Sequence, residues 1–542
     1  MKKKTRLLFC VLSVLMVCVT AFSGLTGCRR KIENGAIYDD PNIPNIYYYY
    51  YDGDGDKSWL FDAAVEFNKT ITDYEIMPFG TLNEEYALNL TANGGDASIL
   101  TMTHPDINSF INAKDIVDLS DILTKDIDGK GVQLKDKFQN LEEIKAQYSN
   151  KANPGMYGVP LSYSPQHLIY DHDLFVSNGW LIYQKNGNVP VRDDNGNLVL
   201  TVGRDGVAGT YDDGQPVNIA EWEEMMNRIK NANNTKAFIY TTKYPFYIEP
   251  LVTALIAQYG GYEECIDIFS GYGSYTDASG TKVNVAIENG YEMYKAPSIL
   301  KAMEFMKKYL ISEPYVHDRC WDTVGLSHSE AMKLFVTGFQ EEVQQAAFLV
   351  EGSGFEGALK TYFDQLESVG YEDRGYGDRE YRYMLLPQLG DESKAYLSAQ
   401  SLGTVVVSAD TNQRKVELAK EFVAFTLQDK YLQQYTLCTG EVRPLEFSLT
   451  SEQQSKLTPF QRNAIAMQQD TDHVKVLSAL DYAKNDPVKN GLITYKGAGY
   501  QYSASFSEGN IERVLTALMR KTPQDYVNGI YNYRKNVVWG VN

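Results

Sequence analysis

The sequence has few of the residues that build disulfide frameworks or metal centres. Its 542 residues include 6 cysteines and 6 histidines. Cys10 and Cys18 lie in an N-terminal segment that reads as an export signal. Cys265, Cys320 and Cys438 are too few and too widely spaced for a disulfide framework, although the sequence allows one disulfide between two of them. The histidines form no metal-binding pair, and no Gly-x-Ser-x-Gly, Walker or HExxH motif occurs.

Basic residues are also in deficit. Lysine and arginine total 51 against 70 aspartates and glutamates, which gives a formal charge of −19. The first 27 residues contain Lys2, Lys3, Lys4 and Arg6 and no acid, so their removal takes the charge to −23. A strongly acidic chain does not suit the phosphates of nucleic acid, and we expect no nucleic-acid partner. The net charge says little about whether the protein binds a neutral ligand such as a sugar.

After residue 27 the sequence lacks any apolar run long enough to span a membrane. Before it, a basic start and an apolar run over residues 7–22 form an export signal. Leu25-Thr26-Gly27-Cys28 matches the bacterial lipobox, in which the cysteine is diacylated and becomes the new N-terminus. Two acyl chains anchor a protein stably. We therefore expect a lipoprotein signal peptide over 1–27, lipidation at Cys28, a tether over 28–45, and attachment to the extracellular face of a bacterial cell membrane.

Residues 157–180 carry the most informative local pattern, YGVPLSYSPQHLIYDHDLFVSNGW. A Tyr-Gly-Val-Pro turn precedes a strand over 168–170, and a short helix from Leu174 ends at Gly179. Pro160 fixes its own φ and favours an extended conformation at Val159. Such a stiff segment suits a chain crossing between two lobes.

This stretch resembles the extracellular solute-binding proteins of ABC importers (family 1), in the carbohydrate-binding branch that includes maltose-binding protein. It keeps the Asp-Leu-Phe of the family's Asn-Lys-Asp-Leu-Phe and departs from the Asn-Lys, which has Asp171-His172 instead. Further family motifs follow in order at Gly95-Asp96, 335–338, 347–352, Leu386-Pro387 and 435–444. The resemblance implies an α/β, two-lobed, periplasmic-binding-protein-like (type II) fold whose interlobe cleft closes on ligand.

The lobes are expected to be built from separate stretches of the chain. Predicted strands over 46–51, 71–79 and 98–103, with helices between them, indicate a parallel sheet. With the resemblance, the domains are an N-lobe of 46–158 plus 386–432 and a C-lobe of 159–385 plus 433–542, with an insertion over 186–217.

A loop rich in glycine and aspartate follows the first strand. Because α/β folds place ligands at strand-to-helix loops, we interpret Asp54 and Asp56 as acceptors for ligand hydroxyl groups. Trp59 is either a stacking platform or a core residue. His104, just past the third strand, lies where clefts form, and its alternative is a solvated loop position.

The family's element at 347–352 ends at the cleft, which implies cleft positions for Glu351, Ser353 and Phe355. Relatives often have Trp where Phe355 stands. Trp321, upstream, is a stacking candidate or a packing residue. Tyr163, in the crossing segment, completes the predicted ligand contacts.

The insertion holds three aspartates in a glycine-shaped loop. Asp205, Asp212 and Asp213 offer oxygen ligands for a structural calcium ion. The alternative is a solvated loop that holds no ion, and no other cofactor is expected.

The chain contains 40 tyrosines, 22 phenylalanines and 5 tryptophans. Aromatic faces suit the C–H surfaces of sugar rings. We expect a monomeric, non-catalytic substrate-binding protein that captures an oligosaccharide and delivers it to the permease subunits of an ABC importer. One alternative is a surface glycoside hydrolase, with its two carboxyl groups drawn from Asp54, Asp56 and Glu351. The other is a glycan-binding adhesin or sensor ectodomain.

Overall fold

The computed structural model describes residues 43–51, 56–81, 97–102, 107–244, 247–322, 324–340, 342–401, 403–478, 481 and 513–541. The predicted signal peptide and the predicted sites Cys28, Asp54 and His104 lie outside these residues. Within them, no helix combines the length and the apolar character that crossing a membrane requires.

Strands and helices alternate along most of the described chain. The strands are β1 (Asn45–Tyr51), β2 (Glu75–Thr81), β3 (Ala97–Met102), β4 (Val159–Pro160), β5 (Tyr163–Asp171), β6 (Lys185–Asn186), β7 (Val189–Pro190), β8 (Thr235–Ile239), β9 (Gly273–Thr276), β10 (Lys282–Val285), β11 (Gln345–Glu351), β12 (Tyr381–Met384), β13 (Ala395–Ser401), β14 (Thr404–Val407) and β15 (Val474–Leu477).

The helices cover both sheets and the C-terminal region. They are α1 (Ser58–Asn68), α2 (Ile107–Ala113), α3 (Leu134–Lys137), α4 (Leu141–Gln147), α5 (His172–Asn178), α6 (Ile219–Lys230), α7 (Glu249–Gly260), α8 (Tyr262–Ser270), α9 (Pro297–Phe305), α10 (His328–Thr337), α11 (Phe355–Ser368), α12 (Gln413–Phe425), α13 (Asp429–Thr439), α14 (Ser451–Ser455), α15 (Pro459–Gln469), α16 (Val514–Arg520) and α17 (Pro523–Tyr533). Short 3₁₀ segments cover Ser120–Thr124, Ile287–Lys295 and Asp318–Trp321, and π turns cover Met306–Leu310 and Arg534–Val538.

The first sheet has the order β2-β1-β3-β14-β4. β1 pairs in parallel with β2 and β3, with Tyr47 opposite Met77 and Tyr49 opposite Leu100. The helix α1 makes the crossover that a parallel β1–β2 pair needs. The aromatic run of β1 therefore lies inside the sheet, as its strand propensity predicts.

The second sheet has the order β15-β13-β5-β11-β8. Its centre is β5, in which every residue after Tyr163 is buried. β11 runs antiparallel to β5, with Leu349 opposite Ile169. β13 and β12 pair with the first and second halves of β5, respectively. The segment that dominates the sequence pattern is thus the central strand of this sheet.

Two separate apolar cores pack on the two sheets, so the fold has two lobes, as predicted. In the first core, α1 buries Trp59, Leu60 and Phe67 with a helical period. In the second, Trp222 of α6 packs near-parallel to Phe348 of β11, with ring centroids 6.2 Å apart. The sequence had left Trp59 open between stacking and core positions, and the residue is 3% exposed.

Within the described residues, the chain crosses between the lobes three times: from β4 to β5, from β13 to β14, and between Phe447 and Phe460. The first crossing is the Pro160 segment. The sheets differ from the predicted lobe bounds at three places. β4, assigned to the C-lobe, pairs with β14 in the first sheet. β13, assigned to the N-lobe, pairs with β5 in the second sheet. Tyr435 and Leu445, assigned to the C-lobe, pack in the first core. The remaining bounds stay a prediction.

Side-chain caps begin several helices where the sequence signals them. Asn218 accepts hydrogen bonds from the backbone N–H groups of Ala220 and Glu221, both at 3.1 Å, at the start of α6. Ser327 and Glu330 form the predicted capping box of α10. These caps fix the start of α10, which carries cavity residues described below.

Candidate functional site

A cavity of about 440 Å³ lies between the two cores. Tyr48, Trp59 and Tyr435 line it from the first lobe, and Met332 and Phe355 line it from the second. The volume falls in the range of about 300–1,000 Å³ that is typical of small-molecule sites. Because opposite walls belong to different lobes, a ligand held here contacts both.

The wall of the first lobe is aromatic. Trp59 stands edge-on to Tyr435, with ring centroids 5.3 Å apart and planes at 86°. The Tyr435 hydroxyl donates to Ser162 Oγ at 3.1 Å. The Tyr48 and Thr101 hydroxyl oxygens lie 2.9 Å apart. Edge-to-face packing and these hydrogen bonds fix the rings, and fixed rings give a ligand a preformed apolar surface.

The second lobe presents a histidine, a carboxylate and aromatic rings. His328 Nδ1 lies 3.0 Å from Glu351 Oε2, and the His328 ring stacks on Tyr247 with centroids 5.2 Å apart. The other oxygen of Glu351 accepts the backbone N–H of Gly352 at 3.0 Å. His328 is the first residue of α10 and Glu351 is the last of β11. The two element ends thus hold the pair at the cavity.

A chain of hydroxyl groups joins the lobes beside the cavity. The Ser164 and Ser353 Oγ atoms lie 2.7 Å apart, and the Ser353 hydroxyl donates to the Glu441 carboxyl group. Glu441 follows α13 of the first lobe, whereas Ser353 follows β11 of the second. Burial raises the pKa of Glu441 to about 7, and the Ser353 and Ser164 hydrogen bonds oppose that rise. Glu441 is therefore a carboxyl group that titrates near neutral pH.

Two residues of the cavity wall each have a buried polar atom without a hydrogen-bond partner among the described residues. The atoms are Trp59 Nε1, a donor, and Gln166 Oε1, an acceptor. Leaving such atoms unbonded costs about 1–3 kcal/mol each. Both atoms are enclosed by protein, so a ligand hydroxyl group would reach them only after the wall moved. A Cβ at Gly352 would lie 2.7 Å from Gln166 Nε2, so the glycine makes room for this amide.

The structure brings four of the predicted ligand residues to the cavity region. Trp59, Glu351 and Phe355 line the cavity. Ser353 lies directly behind the wall, where it contacts Ser164 and Glu441. The Phe355 ring is 1% exposed, so most of its surface packs within the second core. The roles of these residues in ligand contact stay predictions.

Three other predicted residues do not line the cavity. Asp56 is exposed and accepts the Ser58 backbone N–H at 2.8 Å at the start of α1. The Tyr163 hydroxyl lies 3.2 Å from that of Tyr148, and its side chain packs on the first core. Trp321 packs against the second core. Asp54 and His104 lie outside the described residues.

The aspartates of the insertion loop bond to backbone N–H groups. Asp212 Oδ2 accepts from Arg204 and Asp205 at 2.6 and 3.2 Å. Asp213 Oδ2 accepts from Gly209 at 2.7 Å, and Asp205 Oδ1 accepts from Val207 at 2.7 Å. Calcium needs these oxygens as ligands. Asp213 Oδ1, in contrast, is buried and has no hydrogen-bond partner among the described residues, so a structural calcium ion at this loop stays a prediction.

A different acidic cluster lies at the start of α5. His172, Asp173 and Glu380 each bring one ligand atom within 4.8 Å of the others. Arg382 lies 2.6 Å from Glu380, and Arg379 lies 3.6 Å from Asp173. Burial, together with Arg382, lowers the pKa of His172 to about 4. Two guanidinium groups thus already neutralise this cluster, which does not suit a cation.

Sequence reasoning missed several cavity residues. Ser164 and Gln166 alternate on β5 just after the Tyr-Gly-Val-Pro turn, and the two-residue period of a strand places them on one face. This two-residue period could have predicted from the sequence that Ser164 and Gln166 share a face. Tyr247, His328 and Glu441 reach the cavity only because distant elements fold together, and no local pattern marks them.

The two lobes, the two sheets and the cavity between them define the class: the chain has the two-lobed α/β fold of solute-binding proteins. No family model and no curated protein sequence matches the chain.

Solved structures with this fold are similar along nearly their whole length. A chitin oligosaccharide binding protein has a TM-score of 0.56 and 15% identity, over 91% of this chain and 99% of that one. A probable secreted solute-binding lipoprotein from Streptomyces coelicolor has a TM-score of 0.54 and 13% identity, over 92% and 100%. A Streptococcus pneumoniae solute-binding protein in complex with the blood group A-trisaccharide has a TM-score of 0.51 and 12% identity, over 91% and 100%. All three are binding proteins by name.

Proposed function

We propose that this chain is a lipid-anchored, extracellular substrate-binding protein of an ABC importer. It captures a carbohydrate, an oligosaccharide by the resemblance, in the interlobe cavity and delivers it to the permease without altering it. The observation that carries the proposal is the cavity of about 440 Å³ whose walls come from both lobes. The fold supports it, because similar structures include proteins named for chitin oligosaccharide and blood group A-trisaccharide binding.

The chemistry of the wall supports a sugar. Tyr48, Trp59 and Tyr435 offer apolar faces for the C–H surfaces of pyranose rings. Trp59 Nε1 and Gln166 Oε1 are buried without partners among the described residues, and they would give one donor and one acceptor to hydroxyl groups once a bound ligand moves the wall. A sugar presents apolar C–H faces and hydroxyl groups on one molecule, and so matches both features.

Closure of the lobes by ligand explains capture without a chemical step. The three chain crossings within the described residues connect the lobes, and they are the places where a hinge motion would occur. A ligand that contacts both walls binds the closed arrangement more tightly and shifts the equilibrium towards it. The closed form is then the one that a permease recognises.

The lipidated Cys28 would hold the chain at the extracellular face of the membrane. The support is the lipobox at Leu25–Cys28 and a structural neighbour named as a secreted lipoprotein. Diacylation gives the two hydrophobic chains that stable anchoring needs.

Thermal unfolding against a glycan panel tests the proposal. A ligand at about 100 times its Kd stabilises the folded state by about 2.7 kcal/mol, which is a visible rise in Tm. We expect such a rise with at least one oligosaccharide and none with peptides. Gln166→Ala should reduce the rise, whereas the control Gln365→Ala, on the exposed face of α11, should not. Flat curves with every glycan would contradict the proposal.

A surface glycoside hydrolase is the second candidate, and one observation favours it. Glu351 and Glu441 line the same cavity, and a carboxyl group with a pKa near 7 suits a general acid. Release of reducing ends from a glycan that binds would support hydrolysis. Binding without release would leave transport as the function.

A further inference from the structure

One buried end of the cavity is rich in acceptors. The carboxyl groups of Glu351 and Glu441 and the amide of Gln166 line the cavity, and all three residues are buried. Burial, followed by Glu441 and then Glu351, raises the pKa of Tyr383. Ser353, two residues after Glu351, donates its hydroxyl hydrogen to the Glu441 carboxyl group, so one hydrogen bond ties the end of β11 to Glu441. We call Glu351, Glu441 and Gln166 the acceptor end.

Few cationic side chains among the described residues pair with the Glu351 and Glu441 carboxyl groups. Within the described part of the chain, no lysine, arginine or histidine forms an ion pair with Glu441, whose pKa responds to burial and to two serine hydroxyls. Glu351 pairs with His328. Lys57 also lines the cavity, next to the exposed Asp56 at the start of α1. Arg443 is buried outside the lining, with its guanidinium carbon 5.9 Å from the centre of the Tyr435 ring.

We propose that the acceptor end selects ligands by their hydrogen-bond donors: it takes neutral or amino sugars and excludes sugars that carry a carboxylate. This inference rests on the proposed function. It narrows the substrate class from carbohydrates in general to those whose buried part is uncharged or cationic.

The physical reason is a difference in what each ligand offers to Glu441 and Gln166. Hydroxyl and N–H groups donate to the Glu441 carboxyl oxygens and, where the bound ligand moves the wall, to the buried Gln166 Oε1. A ligand carboxylate donates nothing, and it faces an acid that has no cationic partner. Like charges about 4 Å apart in a partly desolvated site weaken binding by roughly 100-fold or more.

The test compares neutral oligosaccharides with acidic counterparts of equal length. The full chain is purified in a detergent without a sugar headgroup. Calorimetric titration then measures Kd at pH 8 for cello-, malto- and chito-oligosaccharides, for glucosamine oligomers, and for C6-oxidised cello- and malto-oligosaccharides. We expect each oxidised sugar to bind at least about 100-fold more weakly than its neutral parent, and glucosamine oligomers to bind at least as well as chito-oligosaccharides.

Variants assign the discrimination to the acceptor end. Glu441→Gln and, independently, Glu351→Gln should each recover at least about 10-fold of the loss with the oxidised sugar. Glu356→Gln is the matched control, because Glu356 is a buried glutamate of the second lobe that does not line the cavity.

Two results would overturn the inference in different ways. Equal affinity for a neutral sugar and its oxidised form would remove the selection and leave carbohydrate binding intact. The absence of binding to every glycan, in a chain that unfolds cooperatively, would instead refute the proposed function on which the inference rests.

Discussion

The Glu441 carboxyl group makes the free energy of unfolding depend on pH, and a single substitution can remove that contribution. Its pKa is about 7 in the folded chain against an ordinary value of 4.5, and burial is the largest cause. Below pH 4.5 the group is protonated in both states. Between 4.5 and 7 the unfolded chain loses its proton first, so the free energy of unfolding falls as pH rises. Above about pH 7 the folded chain carries the full cost of a buried charge.

Glu441→Gln removes this cost because glutamine does not titrate. The amide keeps the shape of the side chain and an oxygen that accepts the Ser353 hydroxyl. The raised pKa corresponds to about 3 kcal/mol between the two protonation states. The variant should therefore resemble the parent near pH 4.5 and exceed its stability by about 3 kcal/mol at pH 8.

Urea unfolding of parent and variant at half-unit steps from pH 4.5 to 8 measures this difference directly. Contributions from all other groups cancel in the comparison. Glu446→Gln, five residues further on and exposed, is the control and should give parallel curves. Glu356→Gln should behave like Glu441→Gln, with its crossover nearer pH 8, because burial raises the pKa of Glu356 to about 8. Parallel curves for Glu441→Gln would refute the assignment of a buried, neutral-range carboxyl group.

Four further predictions test the site, the anchor and the insertion loop. Gly352→Ala should weaken glycan binding by about 10-fold with little change in Tm, because the new Cβ displaces the Gln166 amide; titration calorimetry and melting curves separate the two effects. Cys438 is a free thiol that lines the cavity, so a bound oligosaccharide should slow its alkylation at least several-fold by mass spectrometry, and equal rates would contradict the site. Cys28→Ser should move the chain from the membrane fraction into the medium and remove the lipid mass; retention in the membrane would contradict the lipobox. EDTA should leave Tm unchanged if the loop is closed by its own carboxylates, because backbone N–H groups bond to Asp212 and Asp205. A fall in Tm that calcium restores would show a bound ion, for which the buried Asp213 Oδ1, unpartnered among the described residues, offers a ligand.

Local patterns predicted the parts of the fold that local physics decides. The period of Trp59, Leu60 and Phe67 predicted the buried face of α1, and the caps at Asn218 and Ser327 predicted helix starts. These features depend on residues within one or two turns of each other. The two-lobed fold came from the order of motifs along the whole chain, which the resemblance supplied.

Local patterns could not predict which segments of the chain belong to which sheet. The prediction placed 386–401 in the first lobe, whereas β13 pairs with β5 of the second. Both sheets contain buried apolar strands. The chain passes from the second sheet to the first at Gly403, which lies between β13 and β14 and has a φ of 148°. The apolar character of the stretch that contains β13 and β14 does not indicate which sheet each of these two strands joins. Only the pairing partners decide that.

The same limit explains which site residues were found and why the missed ones matter. Ser164 and Gln166 come four and six residues after Pro160, so they stand on the strand that leaves the hinge. Glu441 stands at the corresponding place on the other side, just before the chain returns to the second lobe. Both residues line the cavity, so each of these two chain crossings has a polar cavity residue near it. Under the proposed function, a ligand bonded to Gln166 and Glu441 contacts both lobes beside their connections, where a hinge motion would occur.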